Sequence, residues 1–228
     1  MRRRFPMAVA VGLLLAGCSS SSTSSPSPTP TDDVLVGRGA VAVPVPASWS
    51  RDATHCGDAV EDTVVYQPVA VPACLVERPP SVTSLTIDGL GGPGGLLPEG
   101  ALAGPRIGGL PAYRTPVERS RRSWRQSVVV PRSDVVLTWQ APTRAELERR
   151  VASVRAAPQG RAFVPDVTDR PAKQGVRVLE RLGFEVERVV RRVPPEEGNE
   201  GEVASTSPGR GRLVARGATV TMVVTTQR

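Results

Sequence analysis

Residues that build catalytic and metal sites are scarce in this chain of 228 residues, which has one histidine, three cysteines and 4% aromatic residues. The histidine, His55, has no second histidine to join it, so a zinc set lacks ligands. A nucleophile elbow and a spaced pair of acid–base carboxylates are also missing from the sequence. These shortages argue against the common hydrolase classes and predict a protein without enzymatic activity and without a cofactor.

A strong net charge and a bilayer-length apolar segment are missing as well. The apolar segment Met7–Ala16 has ten residues, about half of what a helix needs to span a bilayer. The formal charge is +7, but once Arg2, Arg3 and Arg4 are assigned to a leader, 26 basic and 22 acidic residues remain. An imbalance this small argues against a nucleic-acid partner.

What is present begins with a secretion signal. Three arginines precede the apolar segment, which ends in Leu15-Ala16-Gly17-Cys18. This ending resembles the bacterial lipobox, at which the cysteine is diacylated and becomes the first mature residue. The resemblance implies a signal peptide over 1–17, a lipid on Cys18 and a location on the outer face of the cytoplasmic membrane. A plain secretory leader and an uncleaved anchor are the alternatives.

A polar linker follows the lipidated cysteine. Ser19 to Asp33 contains seven Ser, three Thr, three Pro and two Asp and has no apolar residue. Such a segment cannot bury apolar surface, so we expect residues 18–33 to be disordered. Fully extended, the linker would reach about 50 Å from the lipid.

The two remaining cysteines, Cys56 and Cys74, predict a disulfide, because oxidising compartments favour one. The bond would close a loop of about 19 residues and contribute about 3 kcal/mol. A reactive thiol or a metal pair is the alternative, and it lacks partner residues.

Residues 34–158 predict a small, mainly β domain of the α+β class. Strand-like segments are followed by a helix over Thr143 to Ala156, where Thr143 and Glu146 form a capping box and Leu147 and Val151 share a face. The predicted strands are 41–45, 63–66, 82–87, 127–130 and 135–139. The opening of this domain and its cysteines resemble those of uncharacterised secreted actinobacterial lipoproteins.

A glycine-rich segment interrupts these strands. Gly89 to Pro111 holds nine glycines and four prolines in 23 residues, which predicts a long exposed loop. Gly89, Gly91 and Gly94 have the G-x-G-x-x-G spacing of a phosphate-binding turn, but prolines prevent the helix that such a turn requires. We therefore interpret the segment as a flexible loop.

The C-terminal segment, residues 163–228, predicts a second small domain. A helix over Pro171 to Leu182 ends at Gly183, and a strand begins at Phe184 and runs through Val190. Two further strands follow at 202–206 and 219–225. The expected fold is α+β, with one helix packed on a three-stranded sheet.

This segment resembles the PASTA domain, a module associated with penicillin-binding proteins and serine/threonine kinases. The resemblance depends on several motifs in the right order: Val164-Pro165-Asp166-Val167, Leu179 with Gly183-Phe184, Gly201-Glu202-Val203, Ser207-Pro208 and Arg216-Gly217. Pro171, Gly175 and Thr206 depart from the usual pattern. A helical glycine costs about 1 kcal/mol but does not contradict the fold.

The resemblance implies an extracellular module that binds peptidoglycan or its stem peptides. Arginines match carboxylates well, so the candidate binding residues are Arg188, Arg191 and Arg192 near the first strand and Arg210 and Arg212 in the turn. These arginines could instead serve solubility alone. The competing hypothesis is a docking lipoprotein for a penicillin-binding protein or a PASTA-type serine/threonine kinase, without direct wall binding.

Overall fold

A computed structural model describes residues 32–66, 78–90, 96–120, 122–194 and 199–227. Contacts group the chain from Asp32 onward into one compact unit. The described residues form a mixed structure of eighteen strands, two α-helices and a short 3-10 helix. No helix in these ranges is long and apolar enough to cross a membrane.

The first half of the unit is mainly β. In chain order its elements are β1 Asp33–Arg38, β2 Val41–Pro46, β3 Ser50–Arg51, β4 Thr54–His55, β5 Asp58–Ala59, β6 Thr63–Val65, β7 Ser84–Asp88, β8 Leu102–Ile107, β9 Leu110–Arg114, β10 Glu118–Arg119, β11 Trp124–Val130, the 3-10 helix Pro131–Ser133, β12 Val135–Ala141, α1 Arg144–Ala152 and β13 Arg155–Ala156. One sheet has the strand order β1-β2-β13, and a larger one has the order β3-β6-β7-β12-β11-β9-β8 with β10 beside β11. The short strands β4 and β5 pair with each other.

The core of this half is largely aliphatic, and Trp139 and Tyr66 are its buried aromatic residues. Trp139 on β12 is fully buried, and the ring of Trp49 meets it edge-on with ring centroids 6.1 Å apart. On α1, Leu147 and Val151 are buried against the same cluster. The predicted apolar face of the helix is thus the face that packs.

Two boundaries differ from those predicted for this half. The Thr143 hydroxyl accepts the Glu146 backbone N–H at 3.2 Å, as the capping box requires. However, α1 ends at Ala152 and residues 155–156 pair with β2. The linker prediction also runs one residue too far, because Asp33 already pairs with Pro46 in the β1–β2 ladder.

The prediction of one exposed loop over Gly89–Pro111 was wrong. Strand β8 lies within this segment and β9 begins in it and extends past it, and the two form an antiparallel hairpin that joins the large sheet. Gly108 and Gly109 form its turn with φ of 56° and 79°, the left-handed conformations that a tight two-residue hairpin turn needs. Two of the nine glycines that suggested a loop therefore form a hairpin turn.

Within its described residues, the second half contains one helix and five strands. Its elements are β14 Arg161–Phe163, α2 Ala172–Arg181, β15 Glu185–Val193, β16 Val203–Ser207, β17 Leu213–Ala215 and β18 Thr219–Gln227. Strands β14 and β17 form a ribbon, and a three-stranded sheet has the order β15-β18-β16. Strand β15 runs parallel to β18, and β16 runs antiparallel to it.

Helix α2 packs on the three-stranded sheet through a close contact. A Cβ at Gly175 would lie 3.0 Å from Met222 Sδ and 3.1 Å from Val203 Cγ2. The helix ends as predicted, because Gly183 adopts φ of 85° and the Phe184 N–H donates to the Leu179 carbonyl at 3.2 Å. The glycine that seemed unfavourable for the helix thus permits its close approach to the sheet.

The two halves share backbone hydrogen bonds. Gly39 and Phe163 exchange N–H to carbonyl bonds of 3.2 and 2.9 Å. The Phe163 ring is fully buried and lies against Gly37, where a Cβ would come within 2.8 Å of it. The predicted division into domains 34–158 and 163–228 stays a prediction, and the halves are in direct contact.

Candidate functional site

Strand β15 carries three of the five candidate arginines, Arg188, Arg191 and Arg192, and lies at an edge of its sheet. It pairs with β18 in continuous register from Glu185↔Thr219 to Val193↔Gln227. Along its other side no strand pairs with it within the described residues. A nine-residue strand therefore presents one open backbone edge.

The hydrogen-bond direction tells which residues face that open edge. The Glu185 N–H donates to the Ala218 carbonyl at 3.1 Å, so Glu185 points its backbone toward β18. Alternate residues of a parallel strand point their backbone groups to opposite sides. The outward-facing residues are Val186, Arg188, Val190 and Arg192.

Side chains on one face of β15 alternate between cationic and apolar. Arg188, Val190 and Arg192 share the face of β18 that contains the buried Met222 and Val224. Helix α2 contacts the start of β15, where Val186 is half-buried against the core, whereas Val190 is 66% exposed. The second half of this face is thus an open strip with an exposed valine between two arginines.

The three arginines on β15 are exposed, and none forms an ion pair within the part of the chain that is described. The carboxylate of the neighbouring Glu187 accepts a hydrogen bond of 3.0 Å from the Thr221 hydroxyl instead. These guanidinium groups keep their planar pairs of donors available for a carboxylate.

Arg210 is in a different situation from the arginines on β15. Its Nη1 lies 2.9 Å from Asp166 Oδ2, and its Nη2 lies 3.2 Å from Asp52 Oδ2 in the first half of the chain. Burial alone would raise the pKa of Asp166, but hydrogen bonds from Thr168 and Arg210 outweigh burial and lower that pKa below its ordinary value. Arg210 therefore links the two halves, and the ligand site proposed below does not include it.

Arg212 is exposed in the same turn, on the far side of Gly211 from Arg210. Its backbone carbonyl accepts the Val164 N–H at 2.9 Å. The structure thus divides the five candidate arginines into a strip on β15 and a separate turn, rather than bringing them to one point.

The cysteine predictions fall mainly on residues outside the described ranges. Cys18 and Cys74 both lie there, with the signal peptide and most of the linker. Cys56 lies in the turn between β4 and β5, with φ of 55°. The Cys56–Cys74 disulfide stays a prediction. Among the described residues, no group of three His, Cys, Asp or Glu side chains could hold a metal ion.

Sequence reasoning identified the arginines but missed the importance of the valines between them. Val189 and Val190 were assigned to a strand, yet they are 44% and 66% exposed. The signal was available, because Arg188, Arg191 and Arg192 place charge on both faces of that strand. Charge on both faces is typical of an edge strand.

Comparison with known proteins identifies the C-terminal segment. Residues 162–226 match the family model of the PASTA domain. A solved structure to which the chain is similar is the entire extracellular region of the Ser/Thr kinase PrkC from Staphylococcus aureus, with 25% sequence identity and a TM-score of 0.28. The match covers 33% of this chain and 27% of that one. None of the curated proteins matches the chain.

Proposed function

We propose that this chain is a non-enzymatic lipoprotein of the cell envelope whose PASTA domain binds acidic stem peptides of peptidoglycan along β15. The observation that carries the proposal is the open edge of β15 with three exposed arginines that have no ion pair among the described residues. The match of residues 162–226 to the PASTA domain supports an extracellular, wall- or kinase-related binding module. It leaves the role of the first half open.

The mechanism that we propose is strand addition. An extended peptide would pair with the outward backbone groups of β15, as peptides do when they extend a sheet. Alternate residues of a strand lie about 6.6 Å apart, so Arg188 and Arg192 would meet carboxylates about 13 Å apart along the peptide. Val190 between them would contact an apolar side chain, such as the methyl group of an alanine.

We propose further that the protein is held on the outer face of the membrane by a lipid on Cys18. The support is the lipobox-like sequence before Cys18 and the apolar segment that precedes it. Residues 19–31 would separate the compact unit from the membrane. A disulfide between Cys56 and Cys74 would fasten the β4–β5 turn to the segment that follows β6.

A second candidate function uses the same edge. Val189 and Val190 give the edge an apolar centre, which suits a strand of a partner protein as well as a stem peptide. In that case the PASTA domain would dock a penicillin-binding protein or a PASTA-type serine/threonine kinase, and binding to the wall would be absent.

Sedimentation with insoluble peptidoglycan tests the proposal. The full chain carrying Cys18→Ser should pellet at low salt, and replacing Arg188, Arg191 and Arg192 together by Ala should abolish pelleting. A matched control replaces three exposed cationic residues elsewhere, Lys173, Arg155 and Arg177, by Ala and should pellet like the parent.

A second variant tests strand addition itself. Val190→Pro removes a backbone N–H that faces the open edge, and proline is tolerated on edge strands at such positions. It should weaken pelleting while the circular dichroism spectrum stays unchanged. If the triple Ala variant pellets like the parent, β15 is not the wall site. If the parent itself does not pellet, wall binding is wrong and the docking function takes its place.

A further inference from the structure

A cleft lies where the end of α2 meets the first half of the chain. Its surface is mostly apolar and comes from both halves: Pro131 lies in the first half, and Pro165, Val178 and Leu182 lie in the second. Its volume is about 60 Å³. A single water needs about 10–15 Å³ in the same measure, so the cleft has room for a small functional group of a few atoms.

A buried arginine forms part of the cleft wall. Arg38 is 6% exposed. Its Nε donates to the Asp134 carbonyl at 2.9 Å, and its Nη2 lies 3.0 Å from Asp134 Oδ2. The third nitrogen, Nη1, makes no hydrogen bond to a described residue. This donor is not among the fully buried atoms without a partner, so it reaches solvent and is available to an acceptor in the cleft.

The surroundings hold this guanidinium in one place. Asp134, which has φ of 51°, receives the Leu90 N–H on its Oδ1 at 2.9 Å. On the other side, a Cβ at Gly89 would lie 2.8 Å from Arg38 Nη2. The Gly89 backbone packs against the Arg38 guanidinium, and Asp134 accepts two hydrogen bonds from it. The Arg38 side chain is therefore fixed before any ligand arrives. Preorganised donors of this kind reduce the entropy that binding costs.

The charge of the cleft favours an anion. Three of its lining residues are arginines and one, Asp134, is acidic. Two of the arginines, Arg132 and Arg181, are exposed at its rim. Neither rim arginine forms an ion pair among the described residues. The cleft therefore has a net positive charge around an apolar interior.

We infer that this cleft binds a small carboxylate that carries a short apolar substituent. The carboxylate would accept hydrogen bonds from Arg38 Nη1 and a rim arginine, and the substituent would contact the prolines, Val178 and Leu182. A carboxylate with an apolar substituent suits this site better than a phosphate, because a phosphate would place polar oxygens against the apolar walls. The site is separate from the edge of β15, so it goes beyond the function proposed above.

Titration with propionate, followed by nuclear magnetic resonance of the arginine Nε–H groups, tests the inference on the full chain carrying Cys18→Ser. The Arg38 Nε–H is held by the Asp134 carbonyl and is identified by its loss in Arg38→Lys. We expect a saturable shift of this signal with a dissociation constant in the millimolar range. Formate, which has no apolar substituent, should bind more weakly than propionate, and phosphate should bind most weakly.

Charge reversal at the rim keeps the test independent of the buried arginine. Arg132→Glu with Arg181→Glu changes only exposed side chains. It should weaken propionate binding by about tenfold or more, because it removes the hydrogen bond from a rim arginine to the carboxylate. The control, Lys173→Glu with Arg155→Glu, makes the same charge change elsewhere and should bind propionate like the parent. Lys173 precedes Arg181 by about 12 Å along the helix axis.

Three results would overturn the inference. The first is an Arg38 signal that does not move in propionate. The second is a shift that is linear in concentration and equal in the rim and control variants, which indicates general screening by salt. The third is phosphate binding as tight as propionate binding, which would contradict the assignment of a carboxylate with an apolar substituent.

Discussion

Replacement of Arg210 by Ala tests whether this residue fastens the two halves of the chain. The Arg210–Asp166 contact is the stronger of its two ion pairs, because the Asp166 side chain is 11% exposed. Hydrogen bonds to charged groups contribute about 1.5–3 kcal/mol. The Arg210–Asp52 pair is 36% exposed on both sides and adds less than about 1 kcal/mol. We expect Arg210→Ala to lower the free energy of unfolding by about 2 kcal/mol, or the melting temperature by about 4–8 °C.

The pH dependence of that loss identifies its cause. The pKa of Asp166 is lower in the folded chain than its ordinary value. Its ionised form therefore contributes stability above the unfolded pKa of about 3.9, and the contribution is lost as the pH falls through the folded pKa. Urea unfolding should show the full difference between the parent and Arg210→Ala at pH 7 and a smaller one at pH 3. Arg212→Ala is the control. A loss under about 0.5 kcal/mol, or an equal loss at both pH values, refutes the reasoning.

Four glycine positions provide further predictions, each checked by thermal unfolding. Gly37→Ala should cost about 3 kcal/mol or more, because its Cβ would lie 2.0 Å from the Val41 carbonyl oxygen, which cannot move aside. Gly175→Ala should change stability by less than about 1 kcal/mol, because the gain in helix propensity offsets the shift it requires of flexible Met222. Gly108→Ala should lower the free energy of unfolding by about 1–2 kcal/mol, because φ is positive there and the new Cβ would lie 2.7 Å from the Ala156 Cβ. Gly109→Asn should lower it by less than that.

Local signals predicted the second half of the chain well. The end of α2 at Gly183 was predicted because glycine readily adopts the left-handed conformation that closes a helix. In the first half, the start of α1 was likewise predicted, from the Thr143 cap. The matching of residues 162–226 to the PASTA domain confirms the family resemblance of this segment. In each case the information lies within a few neighbouring residues or in a motif order that the family shares.

Pairing between strands and side chains that are distant in the sequence could not be predicted from it. Strands β8 and β9 were missed because glycine and proline content indicates loops unless a partner strand is known. The exposure of Val190 depends on β15 lying at the sheet edge, which depends on the order of three strands. Arg38 gave no signal, because its partner Asp134 follows 96 residues later. Positions of this kind are decided by tertiary contacts rather than by local pattern.

The two candidate sites share no residue, and this separation decides how they relate. Arg181 lies in the last turn of α2, shortly before β15 begins at Glu185, whereas Arg192 lies at the far end of the strand. From Glu185 to Arg188, the nearest of the edge arginines, the strand extends about 10 Å at about 3.3 Å per residue. Free energies at sites so far apart add independently when the sites share no partner residue. We therefore expect a carboxylate in the cleft and a peptide on the edge to bind without competing, and loss of one site to leave the other intact.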